Sequence, residues 1–397
     1  MKKWLIGIAA VLLLAVAFVG IRMVTAPADI TFVQTIKLAE FPSLEQIVPA
    51  NLSEKVAVAI DGRVAYQNSS EAQATASTAK MITAVMVMEK KPFSLGETGE
   101  TITINQQYYG RYSYYATHNG SNTRVQLGEK ISQYDALASA LLASSNNMAD
   151  TLAMWAFGSF EEYKLYAETR LAEWGLKDTK IGIDASGYSS TTTSTAADLA
   201  IIAQKLMEDP VLAEIVGLKT RTVPVAGELK NTNKLLGKNG ILGIKTGWIG
   251  ASSGYCLATA YKINEHLVTI VLLGAPTRDA SFERSKSVID ALQAGLKETE
   301  VVKNDQEVGY YESWWGGRTP VVTTEEMSVF TWAEENPTLE LAMKDREENA
   351  EATGELTIHT QNASHSIDVT TRDFQAYPTF LDRLQYALFI NSGTVAH

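Results

Sequence analysis

A single cysteine, Cys256, stands in 397 residues, so no intrachain disulfide can form. It lies in an apolar, strand-like run, Gly254-Tyr255-Cys256-Leu257-Ala258, where a packed and inert thiol is expected. Histidine is also scarce. Positions 118, 266, 359, 365 and 397 show no metal-ligand spacing with cysteines or acids, so neither a metal site nor a cofactor is expected. Positive charge is in deficit, with 34 lysines and arginines against 45 acids, a net charge of −11 and a pI near 5.1. Such a chain is repelled by polyanions, which argues against nucleic acid as a partner. Internal repeats and low-complexity tracts are missing as well. The rest is globular composition, 46% apolar and 20% charged, in a chain comfortable for two domains.

The longest apolar run opens the chain. Lys2 and Lys3 precede an uncharged, mostly apolar stretch from Trp4 to Ile21, and Arg22 follows. That is long for a signal peptide and just long enough to span a bilayer. Ala26-Pro27-Ala28 is similar to a cleavage site, so residues 1–28 are expected to be a signal peptide or a membrane anchor. Leading positive charge keeps the N-terminus inside, so the remainder is exported, secreted or held at the outer face of the cytoplasmic membrane. An exported chain without disulfides fits a bacterial envelope.

Residues 29 to about 50 read as a leader. Lys55 to Gln67 reads as two strands around Asp61-Gly62, a strong hairpin signal. Residues 93–130 read as turns, with tyrosines at 108, 109, 112, 114 and 115 packing a loop. Ser132 to Trp155 is helical with a polar break at Ser144-Ser145-Asn146-Asn147. Phe160 to Trp174 and Ala196 to Met207 are further helices, separated by the turn Asp184-Ala185-Ser186-Gly187. Three short β-rich runs follow (240–247, 254–261 and 267–273), then a helix from Asp279 to Leu296. This order implies an α/β fold, an antiparallel sheet flanked by helices with an all-helical insertion, over residues 35–300. Residues 301–397 turn acidic and rich in short alternating runs, which predicts a smaller β-rich domain. At its end Phe380, Leu381, Leu384 and Leu388 share one helical face, expected to dock on its own domain rather than on a membrane.

The segment from Ala79 to Met88 is apolar on nearly every side and is stopped by Pro92, so it belongs inside the protein. Small hydroxyl residues ahead of it suit N-capping. Ser77 and Lys80, three apart, share a face in its first turn. Helix N–H groups there favour an oxyanion, and desolvation lowers a lysine pKa from about 10.4 toward neutrality, which makes the amine a general base. Alone, S-x-x-K is a weak signal.

Two further elements follow in order, Ser144-x-Asn146 in the helix break and Lys245-Thr246-Gly247 on a strand. Together they resemble the signature of class A β-lactamases and penicillin-binding proteins. Over residues 35 to 300 the chain resembles the low-molecular-mass penicillin-binding proteins that act as D-alanyl-D-alanine carboxypeptidases. Asn231-Thr232-Asn233-Lys234, Gly243-Ile244-Lys245-Thr246-Gly247 and Asp184-Ala185-Ser186-Gly187 strengthen the likeness, and Trp314-Trp315-Gly316-Gly317 is similar, more loosely, to a C-terminal domain of many members.

The resemblance implies a peptidoglycan pentapeptide stem ending in D-Ala-D-Ala as substrate and β-lactams as inhibitors. Ser77 would be acylated and Lys80 would take its proton. Ser144 would relay a proton to the leaving amine, and Asn146 would hold a substrate amide. Lys245 and Thr246 would bind the terminal carboxylate, with the charge of Lys245 keeping Lys80 neutral. Gly247 would admit close backbone approach, and the N–H groups of Ser77 and Trp248 would form the oxyanion hole. Arg278 and Arg284 both remain open as a further carboxylate ligand. Endopeptidase cleavage of cross-links uses the same site and stays a second reading. A class A β-lactamase would need an E-x-x-x-N loop, absent around Glu161, Glu162 and Glu168. The G-x-S-x-G match at Gly250 to Gly254 precedes a strand, whereas an esterase elbow requires a helix. An idle cell-wall-binding scaffold would lack reason to keep Ser77 beside Lys80.

Overall fold

The structure, a computed structural model, describes residues 2–344, 351–361, 363–372, 374 and 377–388. The chain forms two compact units, Ser43–Lys297 and, separately, Met1–Pro42 with Glu298–His397.

The first unit is built on a five-stranded antiparallel sheet in the order Gly243–Trp248, Tyr255–Ile263, His266–Ala275, Lys55–Ile60, Arg63–Gln67. Its inner strands are near-continuous apolar runs buried along most of their length, as expected of a sheet covered on both faces. The early hairpin joins the sheet beside the late strands, with Ala57 paired to Val271. Asp61 and Gly62 take φ of 45° and 82°, the left-handed pair that a two-residue hairpin turn demands. The helices Ala196–Glu208 and Arg278–Gly295 pack on this sheet.

Next to the sheet lies the helical part, centred on Ala79–Lys90, in which every residue from Ala79 to Met88 is buried. Gln133–Leu141, Asn146–Phe157 and Phe160–Glu173 surround it. Ser132 and Ser145 cap two of these helices by accepting from the backbone N–H groups of Asp135 and Met148. Where turns are expected between 93 and 130, Gln106–Thr117 is instead an α-helix, capped by the Asn105 side chain on the Tyr108 N–H at 2.9 Å. Its tyrosines are not merely loop packing: Tyr115 is fully buried.

The second unit holds a six-stranded antiparallel sheet ordered Thr31–Gln34, Glu307–Ser313, Gly317–Thr323, Ser364–Thr371, Thr353–His359, Thr338–Met343. Its edge strand comes from the N-terminal segment, where Phe32 pairs with Tyr311 and their rings lie 5.1 Å apart. Residues 35–42, expected at the start of the catalytic domain, therefore fall in this unit, because Thr35 and Ile36 continue the pairing onto the Val308 carbonyl. The helix Lys2–Val24 also belongs here; its stretch Ile6–Val24 is long and apolar enough to cross a membrane. The helix Phe380–Ala387 meets it through Arg383, which donates to the Met23 carbonyl at 3.3 Å, and through Tyr386, under the Arg22 guanidinium. The helix packs on its own unit, with Tyr386 against Trp314 at 5.0 Å and Leu384 half-buried, but the expected apolar face is only partly covered, since Phe380 is 73% and Leu381 59% exposed.

Candidate active site

Ser77 sits in a 3₁₀ turn, Ala76–Thr78, that runs directly into the helix Ala79–Lys90. The hydroxyls ahead of the helix do not cap it; Thr78 Oγ1 donates back to the Thr75 carbonyl at 2.6 Å and tightens the turn. This 3₁₀ geometry brings residues 77 and 80 onto one line.

Lys80 Nζ lies 2.8 Å from Ser77 Oγ, 2.7 Å from Asn146 Oδ1 and 2.8 Å from the Ser186 carbonyl oxygen. The side chain is completely buried, and burial pulls its pKa down to about 7 against the opposing attraction of Asp184 and Asp150. As a neutral amine it has two N–H groups, matched by the two carbonyl-type oxygens, and one lone pair left for the serine O–H.

The Ser186 carbonyl is fixed by the turn predicted there. Asp184 Oδ1 accepts from the N–H groups of Ser186 and Tyr188 and from Ser186 Oγ, while Oδ2 accepts from the Ser189 N–H. Gly187, at φ 69°, packs so closely that a β-carbon would meet the Ala76 carbonyl at 2.0 Å. Only glycine allows this turn to rest on the serine turn.

Ser144 occupies the break between Gln133–Leu141 and Asn146–Phe157 with φ of 60°, a left-handed conformation unusual for serine. It lines, with Ser77, Thr232, Thr246, Trp248 and Arg278, a cavity of about 320 Å³. Thr246 Oγ1 lies 2.7 Å from Thr232 Oγ1, and Arg278 donates to the Thr232 carbonyl at 3.1 Å. Of the two arginines left open by the sequence, Arg278 reaches this cavity and Arg284 pairs with Glu54 at 3.8 Å. A second cavity of about 510 Å³ extends from Ser77 past Asn146, Gly120, Tyr188 and Trp248. Trp248 is 56% exposed and stacks on Tyr255, forming a wall shared by both.

Lys245 is buried on its strand, with Nζ 3.0 Å from the Thr246 carbonyl. Its pKa is held well below the ordinary lysine value, first by burial and then by repulsion from Lys80. The repulsion expected to act on Lys80 is thus expressed on Lys245, while burial governs Lys80. The structure brings together all eight residues singled out by sequence: Ser77, Lys80, Ser144, Asn146, Lys245, Thr246, Gly247 and Trp248. Thr232, Arg111, Asp150 and Tyr115 were not anticipated; a lone acid in the apolar helix Asn146–Phe157 was the available signal. Cys256 is buried, its thiol pushed up to about 12, as an inert group should be. Gly250 to Gly254 form a turn between two strands and Glu161, Glu162 and Glu168 ride the helix Phe160–Glu173, so neither rival motif is assembled.

A family profile described as D-alanyl-D-alanine carboxypeptidase matches residues 45–277. The D-alanyl-D-alanine carboxypeptidase DacF of Bacillus subtilis is 27% identical over 226 residues, 54% of this chain and 55% of that protein. A D-alanyl-D-alanine endopeptidase of Pseudomonas aeruginosa is 27% identical over 229 residues, 54% of this chain and 68% of that one. The chain thus spans little more than half the length of DacF. The Streptomyces K15 DD-transpeptidase superposes with a TM-score of 0.55 at 22% identity, over 62% of this chain and 99% of that structure, which establishes the fold. The profile covers more than half of the 397 residues and contains Ser77, Lys80, Ser144, Asn146 and Lys245 to Trp248; the chain belongs to the peptidase family S11, the D-alanyl-D-alanine carboxypeptidases.

Proposed function

We propose that this protein is a serine D-alanyl-D-alanine carboxypeptidase that removes the terminal D-alanine from peptidoglycan pentapeptide stems. The observation that carries the reading is the environment of Lys80: an amine near neutrality, 2.8 Å from Ser77 Oγ, with two further bonds that leave only its lone pair for the hydroxyl proton. Ser77 Oγ attacks the carbonyl between the two D-alanines as Lys80 accepts its proton. The N–H groups of Ser77 and Trp248 receive the oxyanion, a role whose loss typically costs about 10²–10³ in rate. Thr246, Lys245 and Arg278 receive the terminal carboxylate, whose negative charge offsets the repulsion between the two lysines. Ser144 relays the proton to the departing amine, Asn146 Nδ2 holds a substrate amide, and water then hydrolyses the acyl-enzyme.

Residues 1–28 would deliver the chain across the cytoplasmic membrane as a signal peptide, or tether it to the outer face as an anchor. β-Lactams would acylate Ser77 and leave slowly, since the E-x-x-x-N loop that activates a deacylating water in a class A β-lactamase is not formed by Glu161, Glu162 or Glu168. Cleavage of cross-links is the second reading, favoured by the endopeptidase names of relatives of similar identity to DacF. Incubation with a pentapeptide and with dimeric muropeptides decides between them. Free D-alanine from the first supports the carboxypeptidase, and cleavage of the second alone overturns it. Mass spectrometry after penicillin treatment should place the adduct on Ser77; an adduct elsewhere sinks both readings.

A further inference from the structure

Asp150 is buried within the helix Asn146–Phe157. Among the described residues its carboxylate is met by donors. Oδ2 accepts from Arg111 Nε at 2.7 Å, from Arg111 Nη2 and from Tyr115 O–H at 2.7 Å, and Oδ1 accepts from the Ala185 N–H at 3.0 Å. Four donors around it fit an ionised carboxylate, with burial raising its pKa and Arg111 drawing it back down.

Three chain segments converge there. Arg111 and Tyr115 stand one turn apart on Gln106–Thr117, joined by an Arg111 Nη2 to Tyr115 Oη bond of 2.9 Å. Ala185 and Ser186 belong to the turn whose Ser186 carbonyl accepts from Lys80. Asp150 therefore grips the same turn two peptide units ahead of the carbonyl that holds Lys80. Tyr115 adds a 3.4 Å contact to Ser186 Oγ.

We propose that Asp150 is a positioning residue for acylation of Ser77: paired with Arg111 and Tyr115, it locks the Asp184–Gly187 turn so that the Ser186 carbonyl orients the Lys80 amine, and the Asp150–Arg111 pair balances charge beside that amine. The proposal rests on the reading of Ser77 and Lys80 as nucleophile and base. Lys80 is faced by Asp150 from its helix, by Arg111 and Tyr115 behind it, by Asp184 from the turn, by Tyr163 through Thr83, and by Lys245 from the strand. Both acids draw it toward the charged form, so changing either member of the Asp150–Arg111 pair moves its protonation in a predictable sense.

The test is the second-order rate of acylation by a fluorescent penicillin, followed from pH 5 to 9 on the full chain. Asp150→Asn removes a negative charge and leaves Arg111. Its acid limb moves down by about half a pH unit or more, while the plateau rate falls about tenfold to a hundredfold because the amine is less well held. Arg111→Gln leaves the carboxylate uncompensated, so its limb moves up, and Arg111→Lys restores most of the wild-type profile. Opposite displacements support the proposal, because a loss of packing alone would not produce them. Limbs that stay fixed, or that move in the same direction, overturn it. Should Asp150→Asn fail to melt cooperatively, the Arg111 variants decide, since that side chain is one-third exposed. A wild-type protein that is never labelled at Ser77 would instead overturn the function proposed above, before any variant is compared.

Discussion

A β-carbon placed on Gly247 would stand 3.0 Å from the backbone nitrogen of Ser77, with Ala76 Cβ at 3.1 Å and Thr78 N at 3.2 Å. The strand Gly243–Trp248 and the serine turn thus meet backbone to backbone, at the place where an oxyanion would be held between them. Gly247→Ala forces the two apart by a few tenths of an ångström without creating a cavity or burying a polar atom. Acylation by penicillin should fall about a hundredfold, since misplacement on this scale is felt in the transition state. The melting temperature should shift by no more than about 4 °C. A variant that acylates at the wild-type rate would show that the close approach has no part in the chemistry.

Lys80 makes the stability of the fold depend on pH. Its pKa is about 7 when folded and near 10.5 in the unfolded chain. Between those values the unfolded chain holds a proton that the folded protein does not, so stability from this group rises with pH through the window and is level below it. Relative to Lys80→Met, the wild type should gain about 1 kcal/mol per pH unit between pH 7.5 and 9.5. Relief of Lys245 from repulsion flattens the variant's curve and widens the gap. Urea midpoints across this range measure it, and a difference that shrinks as pH rises would place the folded value above that of the unfolded chain. The variant should not form an acyl-enzyme, and the acid limb of wild-type acylation should lie near pH 7.

What was legible in the chain was local. Ser77 and Lys80 lie one turn apart, Lys245 to Trp248 are consecutive, and the apolar strands announce themselves by β-branched residues. The helix Gln106–Thr117 was hidden because tyrosines and Gly110 are poor helix formers; burial of Tyr115 and the Asn105 cap overcome that preference. The Arg111–Asp150 pair joins positions 39 apart in sequence, and the edge strand Thr31–Gln34 pairs with Gly309 to Glu312. No periodicity encodes such distant pairings. The cavity built around Thr232 and Arg278 was hidden for the same reason.

Ser144 is strained at φ 60°, and glycine would adopt that conformation freely. Ser144→Gly should therefore leave the melting temperature unchanged or raise it slightly, while removing the hydroxyl proposed to relay a proton. Turnover of a pentapeptide should fall by about 10²–10³, within the range for general acid–base groups. Acylation by a β-lactam, whose leaving amine stays tethered to the adduct, should fall less. Equal losses with the two reagents would remove Ser144 from the leaving-group step.

Arg278 and Arg284 offer an internal comparison for carboxylate binding. Arg278 opens the helix Arg278–Gly295 at the rim of the cavity and is steadied by the Thr232 carbonyl, whose own hydroxyl meets Thr246. Arg284 is half-exposed and directed to the buried Glu54. Arg278→Gln should raise KM for a peptide ending in a free D-alanine carboxylate about tenfold or more, the scale of a charge-assisted hydrogen bond of roughly 1.5–3 kcal/mol. It should change KM much less for the same peptide ending in an amide, which offers no charge to pair. Arg284→Gln should leave both KM values unchanged and lower stability instead, because Glu54 is then buried without its cation. If Arg284→Gln raised KM and Arg278→Gln did not, Arg278 would have no part in holding the carboxylate.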